Sequence, residues 1–273
     1  MRDWDPLLIP APLFESVKKI GYKKPTPIQM QAIPIGMERK DLIGIAPTGS
    51  GKSAAFLIPL ITYLSKLPVL NDESSKDGPY SLILTPTREL AVQIDNEFQK
   101  FSLNNKLRSC VVVGGRKAED QAFMLRKGCE VLIGTPGRIR DAIQSKYTVL
   151  NQCNWVILDE ADKMIDLGFE DDVNFILDSI PSTNLKSDDE NKCELQEKNF
   201  VKSEKIYRVT HLFSATMPVA VERLAKKYLR SFCFISIGEP GGGKKEIEQK
   251  VEMITENQKK YCSILFSFFK SLL

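Results

Sequence analysis

Two short segments combine residue types that can do phosphate chemistry. The first is Ala46-Pro47-Thr48-Gly49-Ser50-Gly51-Lys52-Ser53. Gly49 and Gly51 let the backbone wrap tightly and aim N–H groups at anionic oxygens, with Pro47, Thr48 and Ser50 completing the cradle. Lys52 supplies a point charge for the β- and γ-phosphates of a nucleotide, and Ser53 a hydroxyl for Mg²⁺. Ala46 stands where the general phosphate-loop pattern has a glycine. The plain alternative is an ordinary Gly/Ser turn; the intact Gly-Lys-Ser ending, between a strand and a helix, argues against it. The second segment is Leu158-Asp159-Glu160-Ala161-Asp162. Asp159 can hold Mg²⁺ through water, and Glu160 can orient and deprotonate an attacking water. Alone, an Asp-Glu pair is more often a charge pair at a helix start. Downstream of a phosphate loop, that preference reverses.

These groups need elements that present them together. Asp41 to Ile45 is a short apolar run, followed by the Gly-rich turn and a helix from Ala54 to Leu64. Ser81 to Thr85 reads as a strand, with a helix from Glu89 to Phe101 after it. Ser109 to Val113, Val131 to Gly134, Trp155 to Leu158 and Thr210 to Phe213 are further strands. Continuous apolar runs separated by helices predict an α/β fold of the RecA-like phosphate-loop type, a mostly parallel sheet flanked by helices on both faces. Ligands of such sheets bind outside the carboxyl ends of the strands, where the informative residues fall. Ser182 to Glu204, rich in Lys, Asp, Glu, Asn and Ser, reads as a solvated surface insertion. Gly238 to Lys245 reads as a linker. Ile247 to Leu273 then alternates as a strand and turns helical, as the opening of another domain would. The expected division is therefore a lobe over 1–237 and, over 238–273, a linker with the start of a second lobe.

Composition bounds the function class without deciding it. Of 273 residues, 42% are hydrophobic, enough for a substantial core, and the net charge of +3 is far from a histone-like balance. The case for a nucleic-acid partner therefore has to come from local sites. Cys110, Cys129, Cys153, Cys193, Cys233 and Cys262 form no C-x-x-C pair, and His211 is the single histidine, which excludes a His-based zinc site. The thiols read as reduced, in an intracellular protein. The N-terminus lacks a signal-peptide pattern, and the apolar tract from Tyr261 to Leu273 is too short to span a membrane.

Taken in order, the motifs resemble those of the DEAD-box ATP-dependent RNA helicases, named for the tetrapeptide Asp159-Glu160-Ala161-Asp162. The resemblance covers nearly the whole chain. Gly21-Tyr-Lys-Lys-Pro-Thr-Pro-Ile-Gln29 looks like the family's adenine-recognition segment, and the Ala-x-Thr-Gly-Ser-Gly-Lys-Ser form accounts for Ala46. The resemblance implies ATP and Mg²⁺ as cofactors. Gln29 would read the adenine edge through an amide that both donates and accepts, and Tyr22 would stack on the base with Trp4 behind it. The alternatives are a helix-cap amide and core packing. Pro86-Thr87-Arg88-Glu-Leu-Ala91, Gly114-Gly115 and Thr135-Pro136-Gly137-Arg138 resemble its RNA-contact segments. Their hydroxyls, guanidiniums and backbone N–H groups suit a phosphate–sugar backbone, with little sequence preference. Salt bridges to nearby carboxylates are the alternative for Arg88 and Arg138. Ser214-Ala-Thr216 resembles the motif coupling ATP to RNA work, its hydroxyls placed to bond Asp159 and Asp162.

Ile33-Pro-Ile-Gly36, Arg39 to Gly44 and Glu248 to Val251 look most like the spliceosomal subfamily associated with the U5 particle, which implies pre-mRNA splicing, spliceosomal protein partners and a nuclear location. Pro47 and Ser53 depart from the Glu or Gln and the Thr common there. The reading is of a monomer with no membrane association. Family members carry arginines on a second lobe, and no His-Arg-x-Gly-Arg segment is found here. An arginine supplied from outside the phosphate loop can be worth about 10³–10⁵ in rate, so these residues alone are expected to bind nucleotide and hydrolyse it poorly. A nucleotide-dependent RNA clamp, a DNA-directed ATPase and a scaffold that uses ATP to fold are the competing readings.

Overall fold

The computed structural model describes residues 3–4, 8–103, 107–198 and 206–238. Its strands are β1 (Leu42–Ile45), β2 (Ser81–Leu84), β3 (Ser109–Val112), β4 (Val131–Gly134), β5 (Trp155–Leu158), β6 (Val209–Ser214) and β7 (Cys233–Ser236). They form one sheet in the order β3-β4-β2-β5-β6-β1-β7, with every pairing parallel. β1, β2, β4 and β5 are buried along their whole length. A sheet buried on both faces needs an apolar layer on each.

Those layers come from α1 (Ala11–Ile20), α2 (Pro27–Met37), α3 (Lys52–Leu64), α4 (Arg88–Phe101), α5 (Ala118–Arg126), α6 (Pro136–Gln144), α7 (Ala161–Asp166), α8 (Glu170–Asp178), α9 (Glu190–Lys198) and α10 (Val219–Tyr228). Because successive strand side chains point to opposite faces, Ile83 and Ile157 join one core with Leu13 of α1, Ile33 of α2, Phe56 of α3 and Phe98 of α4. Leu82, Leu84, Val156 and Leu158 join the other, with Ile139 of α6, Met164 of α7, Ile176 of α8 and Leu224 of α10.

The strand order decides which loops meet. β6 lies between β1 and β5, with Ser214 opposite Ile45 and Leu212 opposite Leu158. The loops leaving β1, β5 and β6 therefore converge at one end of the sheet. β4 lies between β2 and β3, with Gly134 opposite both Leu84 and Val112, so the loops after β2, β3 and β4 gather beside them.

Two helices begin earlier than the periodicity predicts. α3 starts at Lys52 because Gly51, at φ +92°, turns the phosphate loop straight into it. α4 starts at Arg88 because the Thr87 hydroxyl accepts the Leu90 N–H at 3.2 Å. β7, α1, α2, α5, α6, α7, α8 and α10 were not among the expected elements. Most described side chains over 182–204 are exposed, as a surface insertion requires, but the segment is not without structure. α9 forms there, Cys193 is buried, and Lys186 is buried with its ammonium between Asp41 at 3.0 Å and Glu197 at 2.9 Å. Asp41 immediately precedes β1, so the insertion is pinned to the root of that strand. The strand-then-helix expected over 247–273 lies outside the described residues.

Candidate functional site

Lys52 opens α3, and its ammonium is turned inward, donating to the carbonyls of Ala46 at 2.8 Å and Pro47 at 3.3 Å. It is buried, and burial lowers its pKa against the opposing pull of Asp159, Glu160 and Asp162. A desolvated cation held only by its own loop's carbonyls has unmet capacity for an anion. The first N–H groups of α3 have no intrahelical acceptor and point the same way. Gln29 is fully buried; its Oε1 accepts the Thr26 N–H at 2.9 Å and its Nε2 donates to Gly51 O at 3.0 Å. The amide thus ties α2 to the turn that delivers Lys52.

Asp159 leaves β5 buried, and desolvation pushes its carboxyl up to about 7 despite Lys52. Its Oδ1 accepts the Glu160 N–H at 3.0 Å. Glu160 itself sits at φ +52°, a left-handed backbone that costs a side-chain-bearing residue about 1–3 kcal/mol. That turn brings its carboxylate to Lys163 Nζ at 2.9 Å. Asp162 Oδ2 accepts from both the N–H and the hydroxyl of Thr216, at 3.0 and 2.8 Å. Ser214 Oγ accepts the Asp162 N–H at 3.1 Å. Burial opposes the Asp162 charge, but these hydrogen bonds prevail and hold its carboxyl below the usual range. Both hydroxyls therefore serve Asp162, and the expected bond to Asp159 is not made.

The residues fit a nucleoside triphosphate with Mg²⁺. Among the described residues no group of three or more His, Cys, Asp or Glu could cage a metal. A Mg²⁺ ion bound through one carboxylate, a hydroxyl and phosphate oxygens needs no such cage, and Asp159 with Ser53 offers that donor set. A buried carboxylate titrating near 7 is stabilised by any cation that reaches it.

Beside this site, a groove of about 690 Å³ is lined by Pro86, Thr87, Arg88, Gly114, Thr135, Gly137 and Arg138. The Arg88 guanidinium lies over Gly115, where any Cβ would collide with it. No ion pair to Arg88 is formed among the described residues, whereas Arg138 pairs with Asp141 at 3.1 Å. Pro136 is buried in the first turn of α6, and Thr135 precedes it. An anionic backbone could meet Arg88 directly but would compete with a carboxylate for Arg138.

A family model described as "DEAD/DEAH box helicase" matches residues 26–224. The chain belongs to this family. "ATP-dependent RNA helicase ddx23" of Dictyostelium discoideum is 49% identical over 261 residues, covering 95% of this chain and 31% of that protein. "Pre-mRNA-splicing ATP-dependent RNA helicase PRP28" of Cryptococcus neoformans is 48% identical over 265 residues, covering 97% of this chain and 36% of that protein. The chain thus spans about a third of the length of the curated relatives it matches. The RNA helicase Prp28 from Chaetomium thermophilum, crystallised with ADP, superposes with a TM-score of 0.70 at 41% identity over 98% of this chain and 57% of that one. The yeast DEAD-box splicing factor Prp28 superposes with a TM-score of 0.76 at 34% identity, over 99% of this chain and 58% of that one.

Within this DEAD/DEAH box lobe, the structure gathers the sequence-selected residues into two neighbouring clusters. Lys52, Ser53, Asp159, Glu160, Asp162, Ser214 and Thr216 come from three adjacent strand ends; Arg88, Gly115, Thr135 and Arg138 come from the other three. Tyr22 is half-buried, with Trp4 beside it as expected. Its ring stacks on Phe101 at 5.9 Å and meets the edge of Trp4 at 6.1 Å, so part of it belongs to the core. Sequence reasoning missed Glu97 of α4, a partly buried carboxylate near Ser53 whose pKa burial raises. It also missed Arg140, which pairs with Asp172 at 2.7 Å in the groove wall. Both lie mid-helix as ordinary charged residues, and no local pattern marks them.

Proposed function

We propose that this chain is the ATP-binding lobe of an ATP-dependent RNA helicase that hydrolyses ATP to remodel RNA duplexes or RNA–protein complexes in pre-mRNA splicing. The observation that carries the reading is the buried Lys52 ammonium beside Asp159 and Glu160, with Asp162 bonded across to Thr216. Bound Mg²⁺ would supply charge neutralisation at the phosphates. Lys52 would exchange its loop carbonyls for phosphate oxygens, while Asp159 and Ser53 hold the metal, Asp159 partly through water. Glu160, released from Lys163, would accept the proton of the attacking water. Gln29 fixes the turn at Gly51 and would distinguish adenine from guanine, with Tyr22 stacked on the base. Asp162, Ser214 and Thr216 join the β5 and β6 loops, so strain at the phosphates can reach the groove.

RNA would lie on Pro86, Thr87, Arg88, Gly115 and Thr135 to Arg138 through its backbone. The splicing assignment, spliceosomal partners, a nuclear location and a monomeric state rest on the similarity to splicing helicases. The test is ATP and GTP binding by the 273-residue chain, with Lys52→Ala beside it, followed by ATPase stimulation with RNA and DNA oligonucleotides in a protein of the relatives' full length. ATP selectivity, affinity lost in the variant and stimulation by RNA alone are expected. Equal binding of both nucleotides, or equal stimulation by DNA, would overturn the reading.

A further inference from the structure

Gly114 and Gly115 give the groove a turn with more backbone freedom than any other pair of residues would, and that freedom must be lost when the turn is ordered. The turn leaves β3, which lies at the edge of the described sheet. Among the described residues no outer strand accepts the N–H of Val113, the last residue before the turn. Gln121 of α5 accepts it instead, through Oε1 at 2.9 Å. Its Nε2 donates to the carbonyls of Arg116 at 3.2 Å and Lys117 at 3.4 Å, just past the turn.

A carboxamide both accepts and donates, so this one buried side chain closes both ends of the turn. Leu125 of the same helix packs in the core, which makes α5 a fixed post. The turn held in this way touches both groove arginines. Gly115, at φ +75°, lies under the Arg88 guanidinium, and a Cβ built on Gly114 would come within 3.9 Å of the Arg138 side chain.

We propose that Gln121 is a positioning residue for RNA binding. It fixes the Gly114-Gly115 turn before RNA arrives, and the turn seats Arg88 and Arg138. Gln121 is not among the residues lining the groove, so it acts through the turn and not by contact. Order established in advance is order that binding does not have to impose, and affinity rises accordingly. This role rests on the reading of the groove as an RNA site and adds to it a residue outside the groove.

Gln121→Met keeps the volume of the side chain and removes its bonds to the turn; Gln121→Glu keeps an acceptor for Val113 and loses the donor. The test uses a protein of the relatives' full length. Anisotropy of a labelled oligouridylate reads RNA affinity, calorimetry reads ATP affinity, and hydrolysis is followed over a series of RNA concentrations. Gln121→Met should weaken RNA about fivefold or more and raise the half-saturating RNA concentration to match, with kcat at saturating RNA and ATP affinity within about twofold of the parent. Gln121→Glu should weaken RNA about twofold or more. Because the turn acts through Arg88, adding Gln121→Met to Arg88→Ala should weaken RNA by no more than about twofold beyond Arg88→Ala alone. Effects of the two changes that simply multiply would make Gln121 a support of α5 alone, and ATP affinity lost along with RNA affinity would make it a support of the whole lobe. Either result overturns the role, as does parent-like RNA affinity in either Gln121 variant. RNA affinity untouched by Arg88→Ala would sink the groove reading itself, and this role with it.

Discussion

The carboxylate of Asp162 receives both the backbone N–H and the hydroxyl of Thr216, fifty-four positions later in the chain, through a single oxygen. Thr216→Val keeps the shape and the backbone bond but removes the hydroxyl. A hydrogen bond to a charged group contributes about 1.5–3 kcal/mol. Urea unfolding of the variant should show a loss of that order, with nucleotide affinity little changed, since Lys52 and Asp159 are untouched. An unchanged midpoint would mean the bond contributes nothing net.

Asp159 and His211 predict opposite pH slopes. Burial raises Asp159 to about 7, so the folded chain holds a proton that the unfolded chain releases near 3.9. Stability from this group is full below that value and is lost as pH rises to about 7. His211, fully buried, is lowered to about 3, so the unfolded chain binds the extra proton and stability falls as pH drops from about 6.5 toward 3. Without nucleotide, Asp159→Asn should therefore raise the melting temperature at pH 8 more than at pH 5. His211→Gln, which can still donate toward the Lys40 carbonyl, should flatten the acid limb. Melting curves from pH 4 to 8 check both; a stabilisation by Asp159→Asn equal at pH 5 and 8 would contradict the first.

Gln29→Ala removes the acceptor of the part-buried Thr26 N–H and one of two donors to the Gly51 carbonyl, which keeps the Ala55 N–H. Leaving a polar group unsatisfied costs about 1–3 kcal/mol. The variant should lose stability on that scale and also ATP affinity, because the turn presenting Lys52 is loosened. Calorimetric titration with ATP and GTP would separate base reading, which lowers ATP binding alone, from loop support, which lowers both.

Lys186→Met leaves Asp41 and Glu197 facing each other without their cation. Removing one partner of a buried ion pair costs about 3–5 kcal/mol. The double variant Lys186→Met with Asp41→Asn should recover part of that loss in thermal unfolding. If the single variant melts like the parent, the insertion is not anchored through this lysine.

The motifs themselves were legible in the residue order. Gly49, Gly51 and Lys52 after an apolar run, and Asp159 and Glu160 after another, specify local geometry because backbone freedom, charge and strand length act over a few residues. The same holds for the α/β class, read from buried four-residue runs alternating with helices. Strand neighbours were not legible. β1 meets β6 rather than β2, a pairing across more than 160 residues, and only the packing of both sheet faces selects it. The pairing of β5 with β6 likewise sets Thr216 on Asp162. Lys186 shows the limit most sharply. In sequence it is one charge in a polar stretch; its burial depends on Asp41 and Glu197 arriving from elsewhere in the chain. Desolvation and pairing are properties of the assembled neighbourhood, so only the tertiary structure could decide them.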